Sequence, residues 1–530
     1  MRANKGRALA AAWAAALLAG AAGPARAADL ALEQVLQLAL AQNPDIAVQR
    51  AQIDVAHGQQ LQAAAQFDWT LASGVNYGKT VTALTDSAQD GRTGPWRDRT
   101  ELIASGYQAG LVKQLRNGAT VSSTVQATAA QELSDPQPQQ NRVQLNVALT
   151  LPLLKGAGNA AVTAPEQAAT LTVQAERYGW RDRVAQTLYR TLQAYWSYRA
   201  SVELETVAAD SARRSASLLA SIQTLVDAAE RPRADLVLLR ADLADKQAAR
   251  DSAALARRDA QTALGRLLGL ELGAIASLPA PAGTLPGAAP LAAGAAAQGP
   301  AIGTAALARR PDLQALDWQL QAARRQLDAA HNSALPQLDL QTGLEYAKVS
   351  EGGARYGMAT TAGRYQSSPT VYARLNLQLP LAHSQGRGAV QEKAALVAQL
   401  ALRQRDLRQA VAAGVDSALQ ALLSSAARIG LAQQALALYE LAVRQEVTKQ
   451  QNGIATLIDV ISTEARYEAA RVNLLQLQLA QANAMARLRF ESGTLLPPVA
   501  ADAADADHLT LEANDLAGLG PLAASLTQPN

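Results

Sequence analysis

A twenty-residue stretch occurs twice in this chain, and it limits the fold more than any other feature. Val143–Val162, VQLNVALTLPLLKGAGNAAV, recurs without gaps 228 residues later as Val371–Val390, VYARLNLQLPLAHSQGRGAV. Val143, Leu149, Leu151, Pro152, Leu153, Gly158, Ala161 and Val162 are identical in the two copies. Each copy alternates strictly, passes through Leu-Pro and a small-residue turn, and enters a long helical pattern. In the first, Val143, Leu145, Val147, Leu149 and Leu151 alternate with Gln144, Asn146, Ala148 and Thr150, so the strand has one apolar and one polar face. A chain of this kind must hand a two-faced strand directly to a helix, and must do so twice.

The duplication extends outward. Leu307-Ala308-Arg309-Arg310-Pro311-Asp312-Leu313 copies Leu40-Ala41-Gln42-Asn43-Pro44-Asp45-Ile46, and the strand Gln337–Lys348 copies the one ending Tyr77-Gly78-Lys79. Residues 28–270 form repeat 1: a helix at 31–66 interrupted by Asn43-Pro44, strands within 68–151, and helices at 163–229 and 235–268. Residues 271–303 are an Ala/Pro/Gly-rich linker. Residues 304–495 form repeat 2: a helix at 304–335, strands at 337–348 and 369–379, and helices at 390–451 and 459–490, with Gly453 opening the turn between them. The tail 496–530 is rich in Pro, Ala and Asp. A helix over 163–229 would be roughly 100 Å long, and two short helices end to end match it, so a direct repeat can build a wall of even height. The abundance of Ala over large side chains suits helices packed side by side rather than around a solid core.

Export follows from the first residues. Arg2, Lys5 and Arg7 precede an apolar run from Ala8 to Leu18, and Ala25-Arg26-Ala27 gives a cleavage pattern, so residues 1–27 read as a signal peptide. Its removal takes away four basic residues and no acid, lowering the formal charge from +3 to −1 and giving no reason to expect nucleic acid. Cysteine is absent, which excludes disulfides, thiolate metal sites and a lipidated N-terminal cysteine. Beyond the signal no stretch approaches the roughly 20 apolar residues of a membrane helix.

The strands have the length and alternation of a spanning barrel strand, about 9–11 residues. The repeat supports four per chain, or six if the hairpin Leu102–Leu115 and Ala119–Ala130 around Asn117-Gly118 is counted. Four strands cannot close, and an open edge cannot stand in lipid. Several chains must therefore share the barrel, and three copies giving twelve strands is the simplest closure. Whether the hairpin joins the barrel or lies outside it stays open. The alternative is a periplasmic helical adaptor or structural coiled-coil protein that never inserts.

Three signatures carry a family resemblance across nearly the whole mature chain. They are Leu32-Glu33-Gln34-Val35-Leu36-Gln37-Leu38-Ala39-Leu40-Ala41-Gln42-Asn43-Pro44-Asp45, the strand running into Leu151-Pro152-Leu153-Leu154, and Gly453-Ile454-Ala455-Thr456-Leu457-Ile458-Asp459-Val460. In order and duplication these resemble the TolC-type outer-membrane efflux family. The resemblance implies a mainly α protein: a homotrimer with a transmembrane 12-stranded β-barrel in outer-membrane lipid, continuous with a periplasmic α-helical tunnel. It implies a passive exit duct for a tripartite efflux pump or type I secretion system, working with a periplasmic adaptor (a membrane fusion protein) and an inner-membrane pump.

Family members close the tunnel tip with acidic residues near the second helix turn. Carried over, Asp459 matches the first aspartate and Asp235 the acid of the first repeat, while Ser462 stands at the second aspartate, Ala455 at an arginine and Gln450 at a tyrosine. Three copies of Asp459 facing a narrow tip would form an anionic ring that favours cations; Asp235 and Asp459 are equally suited to stabilise helix N-termini. At the strand-to-helix junctions Pro152 and Pro380 are expected to end the ladder, and Gly158 and Gly386 to permit the bend.

Other patterns point to no chemistry. Gly156-Ala157-Gly158-Asn159-Ala160-Ala161 formally fits a dinucleotide-binding turn, but the second copy has Ser384 at Gly156 and neither lies in a short βαβ unit. His57, His331, His383 and His508 have no ligand spacing. Tyr189, Tyr195, Trp196 and Tyr198 fall at helical spacing suited to packing between neighbours. No nucleophile elbow appears, and no cofactor, metal site or enzyme activity is expected.

Overall fold

A computed structural model describes residues 30–89, 98–134, 138–287, 299–352, 360–363, 367–452 and 454–497. The signal peptide, much of the linker, Gly453 and all of the tail beyond Pro497 lie outside the described residues. The larger elements are helices α1 (Leu32–Gln42) and α2 (Pro44–Ala64), strands β1 (Thr70–Ala83), β2 (Arg99–Gln114), β3 (Thr120–Glu132) and β4 (Gln140–Pro152), and helices α3 (Ala164–Asp227) and α4 (Ala234–Leu267). There follow α5 (Gly299–Arg309), α6 (Pro311–Ser333), β5 (Gln337–Glu351), β6 (Ser367–Gln378), α7 (Ser384–Gln451) and α8 (Leu457–Glu491). The chain divides into two compact units: one comprises residues 52–176 and 315–404, the other the remaining helical segments.

The first unit holds a single antiparallel six-stranded sheet in the order β1-β2-β3-β4-β5-β6. The hairpin left open by the sequence is therefore two central strands of this sheet, in register with β1 over fourteen residue pairs and with β4 over eleven. Because side chains alternate, the registers sort every position to one of two faces. One presents Leu71, Val75, Tyr77, Tyr107, Leu111, Val125, Leu145, Val147, Leu344, Tyr346, Val371, Leu375 and Leu377, all exposed. The other presents Asn76, Gln108, Thr124, Gln126, Gln144, Asn146, Gln341, Arg374 and Asn376. An apolar face this extensive, with none of the described residues covering it, is a surface suited to a non-aqueous neighbour.

The second unit is helical, and its two halves reuse the same plan. In repeat 1, Val35 and Ala39 of α1, Tyr195 and Tyr198 of α3, and Leu264 and Leu268 of α4 form one core. In repeat 2, Ala306, Leu313, Val411, Val415, Leu422, Met485 and Leu488 form its counterpart. Repeat-equivalent residues Ala39 and Ala306, and Leu264 and Leu488, are buried in both. α4 and α8 end at Gly269 and Gly493, each at φ +68°, where a Cβ would press on Gln42 or Arg309 at the break between the paired short helices. The expectation that no stretch is apolar enough for a membrane helix is corrected for α7, which passes by length and composition, but its apolar residues Val411, Val415, Ala418, Leu419 and Leu422 belong to the repeat-2 core.

Candidate functional site

The polar sheet face is built for openness. Ser122, Thr124, Gln126, Gln144, Asn146, Ala148, Gln341 and Tyr372 line a concavity of about 230 Å³. Side chains here lie flat because glycines stand directly across the strand from them: Gly74 faces Gln108, Gly106 faces Asn76, Gly110 faces Thr124 and Gly343 faces Tyr372. A Cβ at Gly343 would fall 2.6 Å from the Tyr372 ring, so any other residue would swing the tyrosine off the wall. Tyr372 instead donates to Asn146 Oδ1 at 3.4 Å. Arg142 and Glu345 pair on this face at 3.4 Å. This lining offers hydrogen-bonding groups to water, and among the described residues it gathers no acid, base and nucleophile around one point.

The two strand-to-helix junctions are made differently. Pro152 is the last residue of β4 and pairs with Asp339, though Leu153 N–H still donates to Leu338 O at 2.7 Å and Lys155 N–H to Pro336 O at 3.2 Å. Gly156 and Gly158 follow at φ +80° and +93°, a turn that side-chain-bearing residues resist. Asn332 holds the loop by accepting from Gly156 N–H at 2.7 Å. Pro380 lies beyond β6, and there the expectation for Gly386 is corrected. Gly386 sits inside α7, where a Cβ would lie 2.9 Å from Ala334 Cα, so it is a close-packing position, and His383 at φ +49° makes the turn.

The inserted hairpin is fastened at the first junction. Gly118, at φ +96°, lies so close to the loop that a Cβ would fall 2.1 Å from Gly156 O. Gly158 N–H donates to Asn117 O at 3.2 Å. Arg116 donates to both Glu166 oxygens, at 2.8 and 3.1 Å, and its guanidinium covers Phe67. That bond and charge hold the Glu166 carboxyl below its usual range. Gly156 is thus explained by the hairpin turn it accommodates; the second junction has no hairpin, and Ser384 stands there.

The helix turns carry the acids singled out by sequence. Asp459 is the third residue of α8 and closes a capping box: its Oδ2 accepts from Thr456 N–H at 3.0 Å and from Thr456 Oγ at 2.6 Å, while Asp459 N–H donates to Thr456 Oγ. These bonds hold its carboxyl below the usual range although it is exposed. Ser462 Oγ donates to Asp459 O at 3.0 Å, turning its hydroxyl onto its own helix. Asp235, in the first turn of α4, is paired with Arg231 at 3.5 Å. The turns meet through Ile222, Leu236, Leu239 and Leu457, and Gln450 is buried. The structure thus gives Asp459 and Asp235 helix-terminal roles, and among the described residues only Asp235 of the two carries a basic partner within 4 Å.

Sequence reasoning did not single out a further charged cluster among the helices. Arg310 is paired with Asp312 at 2.7 Å and Glu491 at 2.6 Å and stacks on Phe490, which stacks in turn on Tyr189. Asp182 lies in the same field; burial, and then the charge of Asp312, push its carboxyl up to about 6. The signal was present: Arg310 is the repeat equivalent of the neutral Asn43.

Residues 303–494 match the family model for outer membrane efflux proteins. No curated protein matches the chain. Solved structures match over most of its length: CusC, at TM-score 0.64 and 15% identity, covers 87% of this chain and 91% of its own. The CmeC outer membrane channel of Campylobacter jejuni matches at 0.65 and 14%, covering 87% and 85%. VceC of Vibrio cholerae matches at 0.64 and 15%, covering 87% and 96%.

Proposed function

From the match of residues 303–494 to the model of outer membrane efflux proteins, we propose that this chain is the outer-membrane exit duct of a tripartite efflux pump or type I secretion system. The carrying observation is the sheet with one uncovered apolar face and one polar, glycine-flattened face. Turned to lipid on one side and water on the other, such a sheet is a barrel wall. Three copies assemble the barrel, their helices form a periplasmic tunnel, and an inner-membrane pump and periplasmic adaptor deliver cargo to it. Tyr77 with Lys79 and Tyr346 with Lys348, on the apolar face in the second halves of β1 and β5, suit the lipid headgroup level. The duct supplies no driving force, and the pump does the work.

Outer-membrane fractions should contain a trimer whose gel migration changes on heating. A soluble monomer in periplasmic extract would instead support a non-inserted helical adaptor, a reading the uncovered apolar face disfavours.

At the tip, three copies of Asp459 supply an anionic ring, with Asp235 and Ser462 beside it. The capping box keeps Asp459 ionised while its charge stays without a basic partner within 4 Å among the described residues. Asp459→Asn keeps an acceptor for Thr456 and removes the charge, so single-channel cation selectivity should fall severalfold with the trimer intact. Unchanged selectivity would leave Asp459 as a helix cap alone.

A further inference from the structure

We infer that the β2–β3 hairpin is part of the barrel wall, so that six strands from each of three copies close a barrel of eighteen strands, β6 of one copy pairing with β1 of the next. This rests on the trimeric duct proposed above. The repeat alone supports only β1, β4, β5 and β6, which would close at twelve with the hairpin set aside. The structure assigns the hairpin to the wall by three independent features. It is hydrogen-bonded on both sides, β1 to β2 and β3 to β4, so β1 and β4 are not neighbours. It continues both faces, with Ile103, Tyr107 and Val125 on the apolar side and Gln108, Thr124 and Gln126 on the polar side. Its turn is moulded to the first strand-to-helix junction through Gly118, Asn117 and Arg116. A hairpin lying on the outer surface of a twelve-stranded barrel would satisfy neither of the first two.

The occupant of the two open edges is a second copy. β1 and β6 each have a neighbour on one side only, and unpaired backbone groups cannot face hydrocarbon. β1 runs away from the helices and β6 runs back to them, so β6 against a neighbour's β1 is antiparallel, like every other pair in the sheet. The edges match in length, at 14 and 12 residues. Their apolar faces also match: Val75 is 74% exposed and Val371 82%. Since barrel diameter grows roughly in proportion to strand number, eighteen strands widen the outer pore about 1.5-fold over twelve. The cargo this admits at the cell surface is correspondingly bulkier.

The chain has no cysteine, so paired cysteines report its neighbours cleanly. A disulfide needs Cα atoms within about 7 Å; directly paired strand residues meet this, and residues three strands apart, at about 14 Å, do not. In outer-membrane trimers treated with copper phenanthroline, the S73C/A109C pair (β1 to β2) and the S123C/V147C pair (β3 to β4) should form intramolecular disulfides, and S73C/V147C (β1 to β4) should not. Cysteines scanned along β1 against A373C of β6 should yield covalent trimers at one register. Disulfides for S73C/V147C but not the other two would overturn the inference and leave a twelve-stranded trimer intact. Covalent dimers as the end product, or no inter-chain link at any register, would also overturn it. A soluble monomer would end the duct reading itself, which the fractionation of the unmodified protein reveals before any cross-linking.

Discussion

Arg310 stands where repeat 1 has Asn43, and the exchange changes what a buried helix break requires. Asn43 is self-sufficient: Nδ2 donates to Leu267 O at 2.7 Å and Oδ1 accepts from Asp45 N–H at 2.9 Å. A guanidinium buried at the same place needs counter-charge, and Asp312 and Glu491 provide it. Asp182 is the third carboxylate nearby, and its elevated value, about 6 against an ordinary 3.8, means that the folded state prefers it protonated. The folded state binds that proton more tightly than the unfolded chain, so the group costs stability increasingly as pH rises from about 4 to about 6, and by a constant amount above. Asp182→Asn should therefore raise stability at pH 7.5, by up to about 3 kcal/mol for a shift of this size, and the gain should shrink toward pH 5. Thermal unfolding of the purified protein at both pH values measures it; a loss at pH 7.5 would mean that attraction to Arg310 outweighs burial. The Asn-to-Arg exchange was visible by aligning the repeats, but Glu491 and Asp182 lie far away in sequence and no local pattern joins them to it.

Among the elements, the turns decide where strands and helices go. α8 begins with a reciprocal cap, Thr456 and Asp459, whereas α4 begins at Arg233 with no side-chain cap. The hairpin turn is the tightest constraint in the sheet. Gly118→Val would place a branched side chain at φ +96° and against Gly156 O, a combination of backbone strain and steric conflict worth several kcal/mol. Outer-membrane trimer yield should fall sharply, while Gly388→Ala, at a helical position with open space around it, should assemble normally. Equal yields would show that the hairpin turn is not docked in the assembled protein. Asn117-Gly118 announced this turn plainly in the sequence, and alternation announced the strands. Which strand lies beside which was not legible, because a period of two reports faces and is silent about neighbours. The same limit explains Gly386: its likeness to Gly158 is one of alignment, whereas its backbone is helical and its role is to let α7 approach Ala334.

For the whole molecule, duplication made the architecture readable: the order of helices and strands, the helix breaks at Asn43 and Arg310, and the paired glycines at 269 and 493 all recur. The departures from symmetry carry what is particular to this protein: an additional hairpin, a charged break in one half only, and one capped turn against one uncapped. Their meaning depends on contacts made after folding, so they could be located but not interpreted from the chain alone. The two open sheet edges have a consequence for the cell. A single chain that has folded its helices still presents an apolar sheet and two unsatisfied rims, and it has no way to hide them alone. With three copies sharing the proposed barrel, completion rises with about the third power of chain concentration. A cell that makes too little of this protein, or makes it faster than copies can meet at the membrane, holds exposed intermediates suited to chaperone capture and proteolysis, so abundance of the finished assembly should respond to expression more steeply than synthesis does.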